Sequence, residues 1–221
     1  MINDIKLGLK VVKYGLNVKA CVILSVIFLL IGILCDFFVP SAPINGLYIG
    51  MGAMLLVQMI CSVSVSTMVQ TSSLKKRLQT SVPSFVGGAF LLLGNTISIL
   101  VKLAGLKVLN DWSSAEEVAN GIIITTVLMV IMVLYMSGAM KMFWPATVAF
   151  FIVYLVYFSF SSKIWNFTTG ESPLILPLEV SVVLSYVTII VASAVMYLIF
   201  TATYKREYSK QNFETQLKRA K

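Results

Sequence analysis

Residues 71–84 read TSSLKKRLQTSVPS, and how that stretch is read decides the fold. Three consecutive cations, Lys75, Lys76 and Arg77, sit between apolar runs at 47–69 and 82–106. Each run is long enough to cross a hydrocarbon core, which takes about 20 mainly apolar residues. In a soluble chain this would be an ordinary charged loop. Between two membrane spans it fixes the side on which the loop lies, because cytoplasmic loops carry the excess of Lys and Arg.

The rest of the chain favours the membrane reading. Of 221 residues, 58% are hydrophobic and 12% are charged, with a mean hydropathy of +0.92. Soluble domains carry about 25% charged residues. The net charge of +8 therefore reports loop orientation, and no nucleic-acid partner is expected. Further runs of spanning length lie at 19–39, 121–139, 143–161 and 178–204. With both termini in the cytoplasm, only Lys102, Lys107 and Lys163 of the 17 cations fall outside. The acids split the other way, with Asp36, Asp111, Glu116, Glu117, Glu171 and Glu179 outside. The expected architecture is an all-α, multi-pass protein of a bacterial cell membrane. It has six transmembrane helices in one domain over 1–221, and both ends are cytoplasmic.

Three segments lie outside the spans. In residues 1–18, Lys6, Lys10 and Lys13 share one face at helical spacing beside a stripe of Ile5, Leu9, Val12 and Leu16. That pattern predicts an amphipathic helix lying in the inner interface. Before the last span, SKIWNFTTGESPLILPLEV at 162–180 places Pro173 and Pro177 around Leu174, Ile175 and Leu176. A proline-bracketed apolar tripeptide there predicts a short element re-entering the outer leaflet. The basic tail 204–221 continues the last helix or anchors it, with Tyr204, Lys205 and Tyr208 at headgroup level.

Much chemistry is missing. There is no histidine, which removes the commonest general base and metal ligand. GGAFLLLGN at 87–95 lacks the Lys and Ser/Thr of a phosphate-binding loop. Cys21, Cys35 and Cys61 read as apolar packing residues. No cofactor, metal or catalytic role is expected of this chain. Ionisable residues are nearly absent from the middles of the spans, against ion-coupled transport. Asp36 falls at the outer end of the first span, and Lys102 is expected to snorkel to the interface. Gln58, Asn95, Thr96, Thr125 and Thr126 read as interhelical hydrogen-bonding residues, and SVSVST at 62–67 with Gly46, Gly50 and Gly52 as close-packing positions.

Within the opening stretch, Ser72 or Ser73 can cap a short helix that carries Leu74 and Leu78 on one face, ringed by Lys75, Lys76 and Arg77. A topological anchor needs the cations only. A docking element needs the leucines too. The residues alone leave both readings open.

An N-terminal amphipathic helix, six spans, the basic KKRLQTSVP turn and a broken outer segment together resemble the membrane subunit of type-2 ABC exporters. The resemblance implies that residues 71–81 form a coupling helix, with Ser73, Leu74, Lys75, Lys76, Arg77 and Leu78 seated on a separate ATP-binding cassette ATPase. It implies that Pro173, Leu174, Leu176 and Pro177 shape an outer gate, and that two permease copies pair in the bilayer. The passenger it implies is apolar or amphipathic: a peptide, a lipid or a drug-like molecule. The turn around Lys141 is too short for a second docking element of the family kind. The alternatives are the substrate-binding membrane subunit of a vitamin uptake transporter, or a membrane immunity or assembly factor that transports nothing.

Overall fold

The computed structural model describes residues 2–15, 18–38, 45–108, 115–164 and 176–209. All regular elements among them are helices: α1 (Ile2–Val12), α2 (Val18–Phe38), α3 (Asn45–Ser64), α4 (Thr67–Gln70), α5 (Lys75–Gln79), α6 (Ser81–Val108), α7 (Ala115–Ala139), α8 (Phe143–Ile164) and α9 (Leu178–Ala202). Five of them, α2, α3, α6, α7 and α9, are long and apolar enough to cross a membrane. The chain is thus a multi-pass helical membrane protein. α8 contributes a shorter apolar stretch, Phe143–Tyr157.

The helix ends follow local chemistry. α6 opens with Pro83 in its first turn and α8 with Pro145 in its own, where proline loses no hydrogen bond. α7 begins well before the apolar run at 121–139, with Glu116 and Glu117 in its first turn, where carboxylates oppose the positive end of the helix dipole. α3 stops at Ser64, so the run at 47–69 is not one continuous helix. Ser62 and Ser64 turn their hydroxyls back onto the carbonyl oxygens of Met59 and Cys61, each at 2.7 Å. Gln70 Nε2 donates to the Ser64 carbonyl at 2.6 Å. Serine hydroxyls that bond the preceding turn bend helices, and here the chain leaves the α3 axis.

The core is built from α3, α6, α7 and α9. Ile49, Ala53, Val57 and Cys61 make a four-residue stripe down α3. It meets Leu91 of α6, Met129, Val133 and Met136 of α7, Met140 in the turn after it, and Ile189, Met196 and Phe200 of α9. Glycines bring the backbones together where α3 meets α7. A β-carbon on Gly46 would collide with the backbone of Thr125, and one on Gly50 would press on the Met132 side chain at 2.9 Å. α2 packs on α3 and α6 and leaves Ile23, Val26, Leu30 and Leu34 exposed. In a bilayer that face meets lipid at no hydrophobic cost.

α1 lies against the base of this bundle. Leu7, Val11 and Val12 pack with Ile60, Val82 and Val86, and Leu78 of α5 belongs to the same cluster. The buried side of α1 is therefore the Leu7–Val11–Val12 side, with Gly8 at its centre. Leu9 of the expected apolar stripe points away from the bundle and is 62% exposed. The tail also departs from expectation. α9 ends at Ala202, the chain turns, and Ser209 N donates to the Met140 carbonyl at 2.9 Å. Tyr208, expected at headgroup level, is buried as part of the central core.

Candidate functional site

The turn that carries the cations leaves α4, closes on itself and becomes α5. Ser72 N and Ser72 Oγ both donate to the Val69 carbonyl, at 3.1 and 2.9 Å. Ser72 thus serves the turn, and the residue that starts α5 is Leu74, with no side-chain cap. Neither Ser72 nor Ser73 fills the expected capping role. Ser73 is exposed.

The two leucines part company. Leu74 is 38% exposed, whereas Leu78 is 2% exposed and sits among Ile60, Val82 and Val86. They do not form one free apolar face, because α5 is a single turn laid flat on α1, α3 and α6. Its inner side is consumed by this chain's own core. Arg77 is also engaged: Nε and Nη2 both reach Asp4 Oδ1 of α1, at 3.1 and 2.5 Å. Lys75 is half-buried and Lys76 exposed. The surface that faces away is therefore Ser73, Leu74, Lys75 and Lys76. On the other side of the bundle, Pro173 and Leu174 lie outside the described residues. Leu176 is half-buried and Pro177 is exposed ahead of α9.

Beside α5 the tail is fastened under the bundle. Lys141, in the turn between α7 and α8, donates from Nζ to the Arg206 carbonyl at 2.8 Å and to Gln79 Oε1 at 3.3 Å. The same ammonium stands 3.6 Å from the centre of the Tyr208 ring, within cation–π range. Tyr208 Oη and Ser64 Oγ share a hydrogen bond of 2.5 Å at the point where α3 ends. Burial, with the Lys75 cation acting in the same direction, pushes the Lys141 ammonium down to about 8. Burial pushes the Tyr208 phenol well above its ordinary value. The last turn of α3, the end of α5, the α7–α8 turn and the tail thus meet at one polar hub.

A second polar centre lies inside the bundle. Asp36 Oδ1 on α2 and Lys102 Nζ on α6 form an ion pair of 2.6 Å, with both side chains fully buried. Lys102 does not snorkel to the interface: it turns inward to Asp36. Ser98 Oγ donates to Asp36 Oδ2 at 2.6 Å. Asn95, one turn deeper on the same face of α6, donates to Ser185 Oγ of α9 at 3.1 Å and accepts from Thr126 Oγ1 of α7 at 3.3 Å. Asn95, Ser98 and Lys102 recur at helical spacing and make a polar column along α6. Asn45, Thr125 and Ser181 add buried polar atoms with no hydrogen-bond partner on α3, α7 and α9. An intramembrane charge is costly and is held by a partner facing the bundle interior. The sequence signalled both residues but not their pairing.

Among the described residues, no cluster of His, Cys, Asp or Glu fits a metal ion. No protein-family model matches this chain, and neither a curated protein nor a solved structure matches it.

Proposed function

We propose that the chain is the permease subunit of an ABC-type exporter. In this reading it has six spans and two cytoplasmic ends, and α8 is the fifth span. A separate ATPase docks beneath α5, two permease copies pair in the bilayer, and the passenger is apolar or amphipathic.

One observation carries the reading: α5 is anchored on its inner side and free on its outer side. Leu78 and Arg77 bind it to α1, α3 and α6, while Leu74 and Lys76 remain exposed. A topological anchor needs charge alone. A transmitting element needs rigid attachment to the spans and a free face for the motor. The zero histidine count and the lack of a phosphate loop suit a subunit whose energy comes from a partner.

The test is co-purification of the chain with its ATPase from the native host, for wild type and for Leu74→Asp combined with Lys76→Glu. Burying one leucine is worth roughly 1.5–3 kcal/mol, so the variant is expected to lose the ATPase by tenfold or more while its yield and melting temperature hold. Undiminished co-purification by the variant would remove α5 as the docking element. The absence of any ATPase from the wild-type preparation would remove the exporter reading itself.

A further inference from the structure

We propose that the outward side of α1 is a binding surface for anionic lipid headgroups. The helix has two sides with different work. Leu7, Val11 and Val12 face the bundle, and Gly8 lets the α1 backbone approach Val82 and Val86. At 100° per residue, Ile2 and Leu9 then fall together on one flank, and Lys6 and Lys10 on the side opposite Gly8, with Lys13 in the turn that follows α1. Ile2 is 66% and Leu9 is 62% exposed. All three lysines are exposed, as is Lys19 at the start of α2.

Exposed apolar side chains beside lysines match the boundary between acyl chains and headgroups. A soluble phosphate would be served by the lysines but gives Ile2 and Leu9 no partner. A lipid serves both, which selects the lipid as occupant. Charge selects the anionic kind. The single acid of α1, Asp4, is turned onto Arg77, so nothing on the helix offsets the lysines. Each lysine near an anionic surface is worth roughly a fivefold gain in binding. The surface is also mechanically connected: α1 grips α5 through Asp4–Arg77 and through Leu78. Lipid that positions α1 therefore positions α5, whatever docks below it.

The test uses the purified full chain in detergent, without any ATPase. Phosphatidylglycerol and phosphatidylcholine are titrated separately, and bound lipid is counted by native mass spectrometry. Wild type is expected to retain phosphatidylglycerol at least tenfold better. The variant Lys6→Gln, Lys10→Gln, Lys13→Gln should retain the two lipids about equally. The matching triple Arg variant should keep the preference, which separates charge from folding. Millimolar inorganic phosphate should leave bound phosphatidylglycerol in place. Equal retention by wild type, an unchanged preference in the Gln variant, or stripping by phosphate would each overturn the proposal.

Discussion

Asp36 and Lys102 close an ion pair of 2.6 Å between α2 and α6, with neither side chain exposed. The pair joins the bundle to the helix whose outward face is otherwise left to lipid. Removing one partner strands a buried charge, which typically costs about 3–5 kcal/mol, whereas replacing both by apolar residues is often neutral. Asp36→Leu and Lys102→Met are each expected to lower the melting temperature of the detergent-purified protein sharply. The double variant should recover most of the loss. Melting followed by size-exclusion chromatography reads this directly. Single variants that melt with wild type would mean that the pair does not hold α2 to α6.

The long helices were legible because hydropathy is a one-dimensional property, and the spanning lengths of α2, α3, α6, α7 and α9 stand in the sequence. What was not legible is pairing. Asp36 and Lys102 lie on different spans, and Lys102 near a helix end can reach either water or a partner. Only the facing of α2 and α6 decides between them. The fate of Leu78 was hidden for the same reason. Helical spacing groups Leu74 with Leu78, but α1, at the start of the chain, packs with Ile60, Val82 and Val86 over one of them. Nor did composition reveal the break after Ser64, where a serine-rich but apolar run bends into the hub closed by Tyr208.

The division between the two leucines makes a prediction of its own. Leu78→Ala removes a fully packed side chain, and such truncations typically cost about 2–5 kcal/mol. It should reduce folded yield and melting temperature with no partner present. Leu74→Ala should leave both unchanged, since the side chain is exposed. Equal melting of the two variants would place Leu78 outside the core.

Gly46 offers a control on backbone packing. A β-carbon there meets the carbonyl of Thr125, which cannot swing aside, whereas one at Gly8 meets the ends of Val82 and Val86 side chains. Close approach through small residues is how membrane helices associate. Gly46→Ala should therefore separate α3 from α7 and cost about 1–3 kcal/mol or more. Gly8→Ala should cost less, because valine side chains can shift. Thermal melting of the two variants, compared at equal detergent concentration, checks the order. The reverse order would contradict the contact between α3 and α7.

The hub under the bundle predicts a pH dependence. Lys141 is pushed down to about 8 in the folded protein, against an ordinary lysine value of about 10.4. Between those values the unfolded chain binds the proton and the folded one does not, so stability rises with pH. Below about 8 both states are protonated, and the cost of burying the cation is fully present. Tyr208 acts oppositely. Its phenol is raised, so above the ordinary tyrosine value of about 10 the folded state keeps a proton that the unfolded state sheds, and stability falls. Lys141 therefore adds stability between about pH 8 and about pH 10, and Tyr208 takes stability away above about pH 10. Relative to Lys141→Met, the wild-type melting temperature should climb between about pH 8 and about pH 10. Relative to Tyr208→Phe, which keeps the ring under the ammonium, the wild-type melting temperature should fall above about pH 10. Lys75→Gln should move the start of the rise to higher pH, since the Lys75 cation helps to hold Lys141 down. A wild-type profile that does not rise relative to that of Lys141→Met across this window would show that Lys141 is not enclosed by the tail.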